Sequence, residues 1–180
     1  MKDQNSIKRI KRELAHKGSI IDFYSDTIEI DNKKEVIFDF INHNGASAIV
    51  AVDSDDKILM VRQYRNAIDK YSLEIPAGSK DPEEDNITCA IRECEEETGY
   101  KPNNVEHLID VHTSVAFCNE LIRVYYSKDL ASSKQNLDED EYIDIERHSL
   151  NDLLSMIFSG EITDAKTIAA LLAYKTKMNL

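Results

Sequence analysis

Apolar and polar positions along this chain fall into two regimes, short alternating or clustered runs and longer stretches with a helical period. Residues 20–24, 27–30 and 35–41 alternate or cluster apolar side chains and predict short strands, with Asp31-Asn32 as a turn. Residues 42–45 form a second break. Residues 46–52 are an unbroken apolar run of the buried-strand kind, 53–56 a turn and 57–62 another strand, so this pair predicts a hairpin. Residues 71–75 predict a strand that ends at Pro76-Ala77-Gly78. The period then changes. Over 85–98, Ile87, Ala90, Ile91 and Cys94 recur at i, i+3, i+4 and i+7, one apolar stripe of a helix, and Gly99 sits where a helix C-terminal glycine belongs. Strands follow at 105–111, 121–126 and 142–145, then helices at 150–158 and 163–177 separated by Ser159-Gly160. Mixed in this order, the elements predict an α/β sandwich with a mixed sheet.

Charge narrows the field of functions. The 34 acids and 22 bases leave a net charge of -12 across 180 residues. Such a field repels nucleic acid and anionic membrane, so neither is an expected partner. An anionic substrate would need a local positive centre, and a bound metal is the simplest. Cys89, Cys94 and Cys118 are odd in number and lack CxxC spacing, which predicts a reduced, cytoplasmic protein. The five histidines are scattered at spacings that build no zinc site. The first twelve residues are polar and basic, unlike a signal peptide, and no apolar run is long enough to span a bilayer.

The chemistry concentrates between Gly78 and Tyr100. On the predicted helix, Glu93, Glu96 and Glu97 stand at i, i+3 and i+4, so three carboxylates share one face beside the apolar stripe. Taken alone, a glutamate run is usually a solvated face. Like charges at this spacing repel by a few tenths of a kcal/mol, roughly, and a divalent cation would turn that repulsion into attraction. Oxygen donors of this kind suit Mg²⁺ or Mn²⁺.

The residues around the run form a longer pattern. Gly78 lies six positions before Glu84, Arg92-Glu93 follow eight after Glu84, and Glu96-Glu97 and Gly99 complete it. This resembles the Nudix box, with every fixed position matched. Cys94 takes an aliphatic place, and Tyr100 takes the last one less typically. The resemblance implies a Nudix-type α/β/α sandwich. It also implies a loop-helix-loop that holds Mg²⁺, or Mn²⁺, against a diphosphate. Glu93 and Glu97 are the implied first ligands, Glu96 a third, and the backbone carbonyl of Ala77 a further one. Arg92 is expected to hold the carboxylates of the motif, with a fork suited to that task. Glu84 is expected to be structural or to act behind the ligands, and Cys94 to be core.

Three stretches outside the box speak to substrate. Val61-Arg62-Gln63-Tyr64-Arg65 and Leu73-Glu74-Ile75-Pro76-Ala77-Gly78 look like the ADP-ribose pyrophosphatase branch and its GDP-mannose relative. Arg65 is the expected phosphate or ribose contact, since an arginine after a buried strand beside a metal-diphosphate site has a clear use, and Arg62 is a second candidate. The stretch from His112 to Glu120 resembles a substrate loop of that branch. Phe117 and Glu120 match it and are expected to line the substrate, whereas Val115 and Ala116 stand where the branch has proline and glycine. In the acidic run before residue 142, Glu141 and Glu139 both match the branch's catalytic base or further ligand, and Glu97 is counted with them as catalytic. Thr163 to Thr167 look like the start of the branch's final helix. By the same resemblance, residues 1–42 form a small antiparallel β subdomain that mediates a homodimer and lies over substrate, and residues 43–180 form the hydrolase domain. Tyr24, Lys33 and Lys34 have possible substrate contacts there, but single aromatics and exposed lysines are more often plain structure.

The expected reaction is Mg²⁺-dependent hydrolysis of the pyrophosphate bond of ADP-ribose or a similar nucleoside diphosphate sugar, giving AMP and ribose 5-phosphate. The alternatives are GDP-mannose or another nucleotide sugar, and a ligand-sensing module that kept the fold without catalysis. The three intact glutamates speak against the module. A sanitiser of oxidised nucleoside triphosphates is disfavoured by the stretches before the box.

Overall fold

In the computed structural model, which describes residues 6–19, 21–137 and 141–180, the chain divides into two units. The first runs to Asn44 and includes His112–Glu120. The second comprises Gly45–Val111 and Leu121–Leu180.

The first unit is an antiparallel three-stranded sheet in the order β1 (Ile7–Lys17), β2 (Asp22–Ile30), β3 (Lys34–Asn42). Asp31 and Asn32 turn the β2–β3 hairpin at φ 53° and 51°, a conformation these residues tolerate well. Strand β2 is continuous where two short strands were expected. Its break residue Asp26 is buried and held by Arg12, whose Nε and Nη2 each donate at 2.6 Å. Strand β1 was not foreseen. Two register shifts, between Arg9 and Lys11 and between Leu14 and His16, break its alternation, so no period of two shows in the residue pattern. The 112–120 segment joins this unit through Ile41, whose N–H donates to the Phe117 carbonyl at 2.7 Å.

The second unit is built on β4 (Ala46–Ala51), buried along its whole length. Strand β4 pairs in parallel with β10 (Leu121–Ser127) and antiparallel with β7 (Ala77–Ser79), and β9 (Glu106–His112) completes a mixed sheet in the order β7-β4-β10-β9. A second sheet orders β12 (Ile143–Ser149), β5 (Lys57–Arg65) and β6 (Lys70–Glu74), all antiparallel. Strands β8 (Tyr100–Asn103) and β11 (Asp129–Ser132) form a two-stranded ribbon. The hairpin expected between β4 and β5 does not form. The two strands lie in different sheets, and their ladder pairing is limited to the bridge Val52–Ile58 where the chain passes from one to the other. Both are apolar on two faces, and a run of that kind carries no information about its partner.

Alternation along β4 divides the core. Ala48, Val50 and Val52 pack with Met60, Leu73, Leu153 and Leu171, beneath α2 (Leu150–Ser159) and α3 (Ala165–Met178). Ile49 and Ala51 face the other way, against Ala90 and Cys94 of α1 (Asn86–Thr98). Helices therefore cover both faces, the α/β/α sandwich expected. The apolar stripe of α1 is rotated from its expected setting. Ala90 and Cys94 are buried, but Ile87 is exposed, and Cys89, Glu97 and Thr98 join the buried face. Among the described residues no helix is long and apolar enough to cross a membrane.

Candidate active site

Helix α1 is held at both ends. Asp85 caps the start, with Oδ1 accepting from the Thr88 N–H at 2.9 Å. Gly99 ends it at φ 71°, its N–H donating to the Glu95 carbonyl at 2.9 Å. Between these caps the helix presents its carboxylates to β7. Glu93 lies against the backbone of Gly78, so closely that a Cβ built there would fall 2.1 Å from the Glu93 carboxyl carbon. Only glycine leaves that room, which gives the first residue of the motif its physical reason. Glu97 is 3% exposed, and its Oε2 accepts from the Ala77 N–H at 3.0 Å.

Arg92 organises the remaining acids. Its Nε and Nη2 each donate to Glu84 at 3.0 Å, and its Nη1 reaches Glu96 at 2.9 Å and Glu93 at 2.8 Å. Nη2 also donates to the Ser79 carbonyl at 3.1 Å. One guanidinium thus ties the loop after β7 to three carboxylates. Glu84 is anchored a second time by the Asp81 N–H at 3.1 Å.

The electrostatics of the pair are unusual for surface glutamates. Burial pushes the Glu93 carboxyl up to about 7; Arg92 opposes this, while Glu96 and Glu141 add to it. Burial pushes Glu97 up to about 8; the Ala77 N–H and Lys166 oppose this, while Glu93 and Glu141 add to it. Two mutually repelling carboxylates, Glu97 buried and Glu93 partly so, next to a backbone notch call for a cation. Among the described residues no three His, Cys, Asp or Glu side chains converge to cage an ion. Magnesium needs no such cage, because it keeps waters and takes one or two carboxylates together with substrate phosphates. An all-oxygen donor set around Glu93 and Glu97 fits it.

The other expected residues are distributed as follows. The field of Glu141 reaches both Glu93 and Glu97. Glu139 lies outside the described residues. Arg65, at the end of β5, donates from Nε and Nη2 to Glu74 at 2.8 and 2.7 Å. Arg62 pairs with Glu146 and lies 3.5 Å from Glu161. Glu120 and Phe117 belong to the first unit, where Glu120 accepts from Thr113 Oγ1 at 2.6 Å and Phe117 is half exposed. Cys94 is fully buried, as expected of a core residue, and burial pushes its thiol up to about 12.

Residue patterns did not single out a buried ionic group beside the cradle. Glu74 is 2% exposed and is shared by Arg65 and Lys166, and Lys166 also bonds Asp164 at 3.0 Å. Two signals for it stood in the chain: a glutamate inside an apolar strand, and a lysine in the first turn of a helix, where the dipole disfavours a cation.

Fold and site together define a Nudix-type hydrolase architecture. A crystal structure of an ADP compounds hydrolase has the same fold, with a TM-score of 0.84 over 98% of this chain and 95% of that one, at 20% identity. The NUDIX domain matches residues 42–171. The chain is 36% identical over 166 residues to an ADP-ribose pyrophosphatase of Bacillus subtilis (strain 168), covering 91% of this chain and 90% of the relative. It is 39% identical over 166 residues to a methanol dehydrogenase activator of Bacillus methanolicus, covering 91% and 89%. The chain belongs to the Nudix hydrolase family, in its ADP-ribose pyrophosphatase-like branch.

Proposed function

We propose that this hydrolase cleaves the pyrophosphate bond of ADP-ribose or a closely similar nucleoside diphosphate sugar, giving AMP and ribose 5-phosphate. The observation that carries the reading is the pairing of partly buried Glu93 and buried Glu97 against Gly78 and Ala77. The name of the Bacillus subtilis relative supports the substrate. Glu93, Glu97, Glu96 and the Ala77 carbonyl would hold Mg²⁺, with Mn²⁺ able to replace it. Bound there, the metal would neutralise the diphosphate and acidify a water. Glu141 or Glu139 takes the proton from the attacking water. Arg92 keeps the carboxylates apart from one another and in register. Arg65, and secondarily Arg62, orients the phosphates or ribose, with Phe117 and Glu120 contributing to substrate contact.

We place the active protein in the cytoplasm as a homodimer formed through residues 1–42, with 43–180 as the hydrolase domain. Three free cysteines support the compartment, and the exposed Ile7, Ile37 and Phe38 of the β1–β3 sheet support a covered surface. GDP-mannose is the second reading, carried by the 61–65 and 73–78 stretches that the two branches share, with Val115 and Ala116 departing from the ADP-ribose pattern in the substrate loop.

A panel of ADP-ribose, GDP-mannose, other nucleotide sugars and nucleoside triphosphates, each with Mg²⁺, tests the proposal. Chromatography should show AMP and ribose 5-phosphate as the dominant products. Release of inorganic pyrophosphate from a triphosphate as the fastest reaction would sink it.

A further inference from the structure

Three successive contacts pin the segment that leads from β6 into the metal cradle. Glu74 is gripped by Arg65 and Lys166. The Ile75 N–H donates to Thr167 Oγ1 at 3.0 Å, with Thr167 fully buried. The Ala77 N–H donates to Glu97. Two of the three come from the first turn of α3, whose N-cap Asp164 accepts from the Thr167 N–H at 3.0 Å and from Lys166 Nζ at 3.0 Å.

The charges alternate from partner to partner, Arg65 to Glu74 to Lys166 to Asp164. Lys166 is 7% exposed and Glu74 2%, whereas the side chain of Arg65 is 41% exposed. Arg65 spends Nε and Nη2 on Glu74, and among the described residues no acceptor takes its Nη1. The guanidinium is therefore fixed at one edge and open at the other. Lys166 bonds the same Glu74 oxygen as Arg65 Nη2, so the carboxylate is shared between two cations. The field of Glu97 reaches both Arg65 and Lys166, which sets this ionic group beside the cradle.

We propose that Lys166 is a positioning residue for Arg65, acting through the buried carboxylate of Glu74 so that the open edge of the guanidinium stays aimed at a substrate phosphate. The inference rests on Arg65 being a phosphate contact. It adds that α3, which carries no residue of the motif, sets substrate affinity.

The test is a double-mutant cycle on the full chain with a nucleoside diphosphate sugar and saturating Mg²⁺, reading KM, kcat and Tm. Arg65→Ala should raise KM roughly tenfold or more, as expected for loss of a charge-assisted contact. Lys166→Met should also raise KM several-fold with a smaller change in kcat, roughly threefold at most. In the Arg65→Ala background it should add no more than roughly a twofold effect, the signature of one unit. Lys166→Arg should recover most of the affinity, and Glu74→Gln, which keeps the shape, should reproduce the KM rise if Lys166→Met does not fold. If Arg65→Ala leaves KM unchanged, the phosphate role of Arg65 fails and the inference falls with it. If Arg65→Ala raises KM but Lys166→Met only lowers Tm, or raises KM equally in both backgrounds, Arg65 stands and the role of Lys166 is overturned.

Discussion

Single residues carry the chemistry, and their surroundings decide how. Glu97 is buried, repelled by Glu93 and Glu141, and held by one backbone N–H. Glutamine has the same shape and can accept the same bond. Glu97→Gln should therefore fold normally, with a Tm in chelator at neutral pH no lower than that of the wild type, while kcat falls by roughly 10³ or more. Near wild-type turnover at saturating Mg²⁺ would remove Glu97 from the site. Gly78→Ala tests the notch directly. A methyl group placed 2.1 Å from the Glu93 carboxyl carbon must displace that carboxylate. Activity should fall by about a hundredfold, as for other misplacements near an ångström, and the Mg²⁺ concentration for half-activity should rise.

At the scale of elements, the site is a helix laid on a strand, and its precision depends on the helix ends. Asp85→Ala removes the cap bond to Thr88 and should cost about 1 kcal/mol in a urea melt. Gly99→Ala should cost about 1 kcal/mol or more, because the residue sits at φ 71° and a Cβ would approach the Gln135 nitrogen at 3.0 Å. The Gln135 side chain donates to the Glu97 carbonyl at 2.8 Å, and the Asn136 N–H to the Glu96 carbonyl at 2.9 Å. The 133–136 segment thus satisfies the open carbonyls of the helix that carries Glu93 and Glu97. The same scale shows where patterns mislead. Glu97 reads as standing beside the apolar stripe, at the margin of the core, yet it is fully inside with Cys94 and Thr98 while Ile87 faces out. Periodicity locates a face to within about one residue in a turn, and the sheet selects the exact rotation.

For the whole molecule, stability should depend on pH through Glu74. Burial alone would raise its carboxyl, but Arg65 and Lys166 together hold it at about 2, below its ordinary 4.5. The folded state therefore prefers the ionised form. The stabilisation is complete above about 4.5 and is lost as pH falls towards 2, on the order of 3 kcal/mol. Urea melts between pH 3 and 6 should show that slope in the wild type and a shallower one in Glu74→Gln. Oligomeric state belongs to this scale too. Light scattering should give a dimer mass, and charged replacements at Ile37 and Phe38 should shift it towards monomer.

The order of residues alone determined the Nudix box from Gly78 to Gly99, the helix that displays it and the layered α/β class, because spacing, capping and periodicity are local properties. It also drew attention to Arg65, Glu120 and Glu141 through resemblance. Tertiary structure alone decided which strands pair, since β4 and β5 are both apolar on two faces and such strands do not name their neighbours. It decided that Glu97 is buried, that Gly78 leaves room for Glu93, and that Lys166, ninety-two positions from Glu74, completes an ionic group behind Arg65. Those relations join residues far apart in the chain, and only packing brings their charges close enough to act on one another.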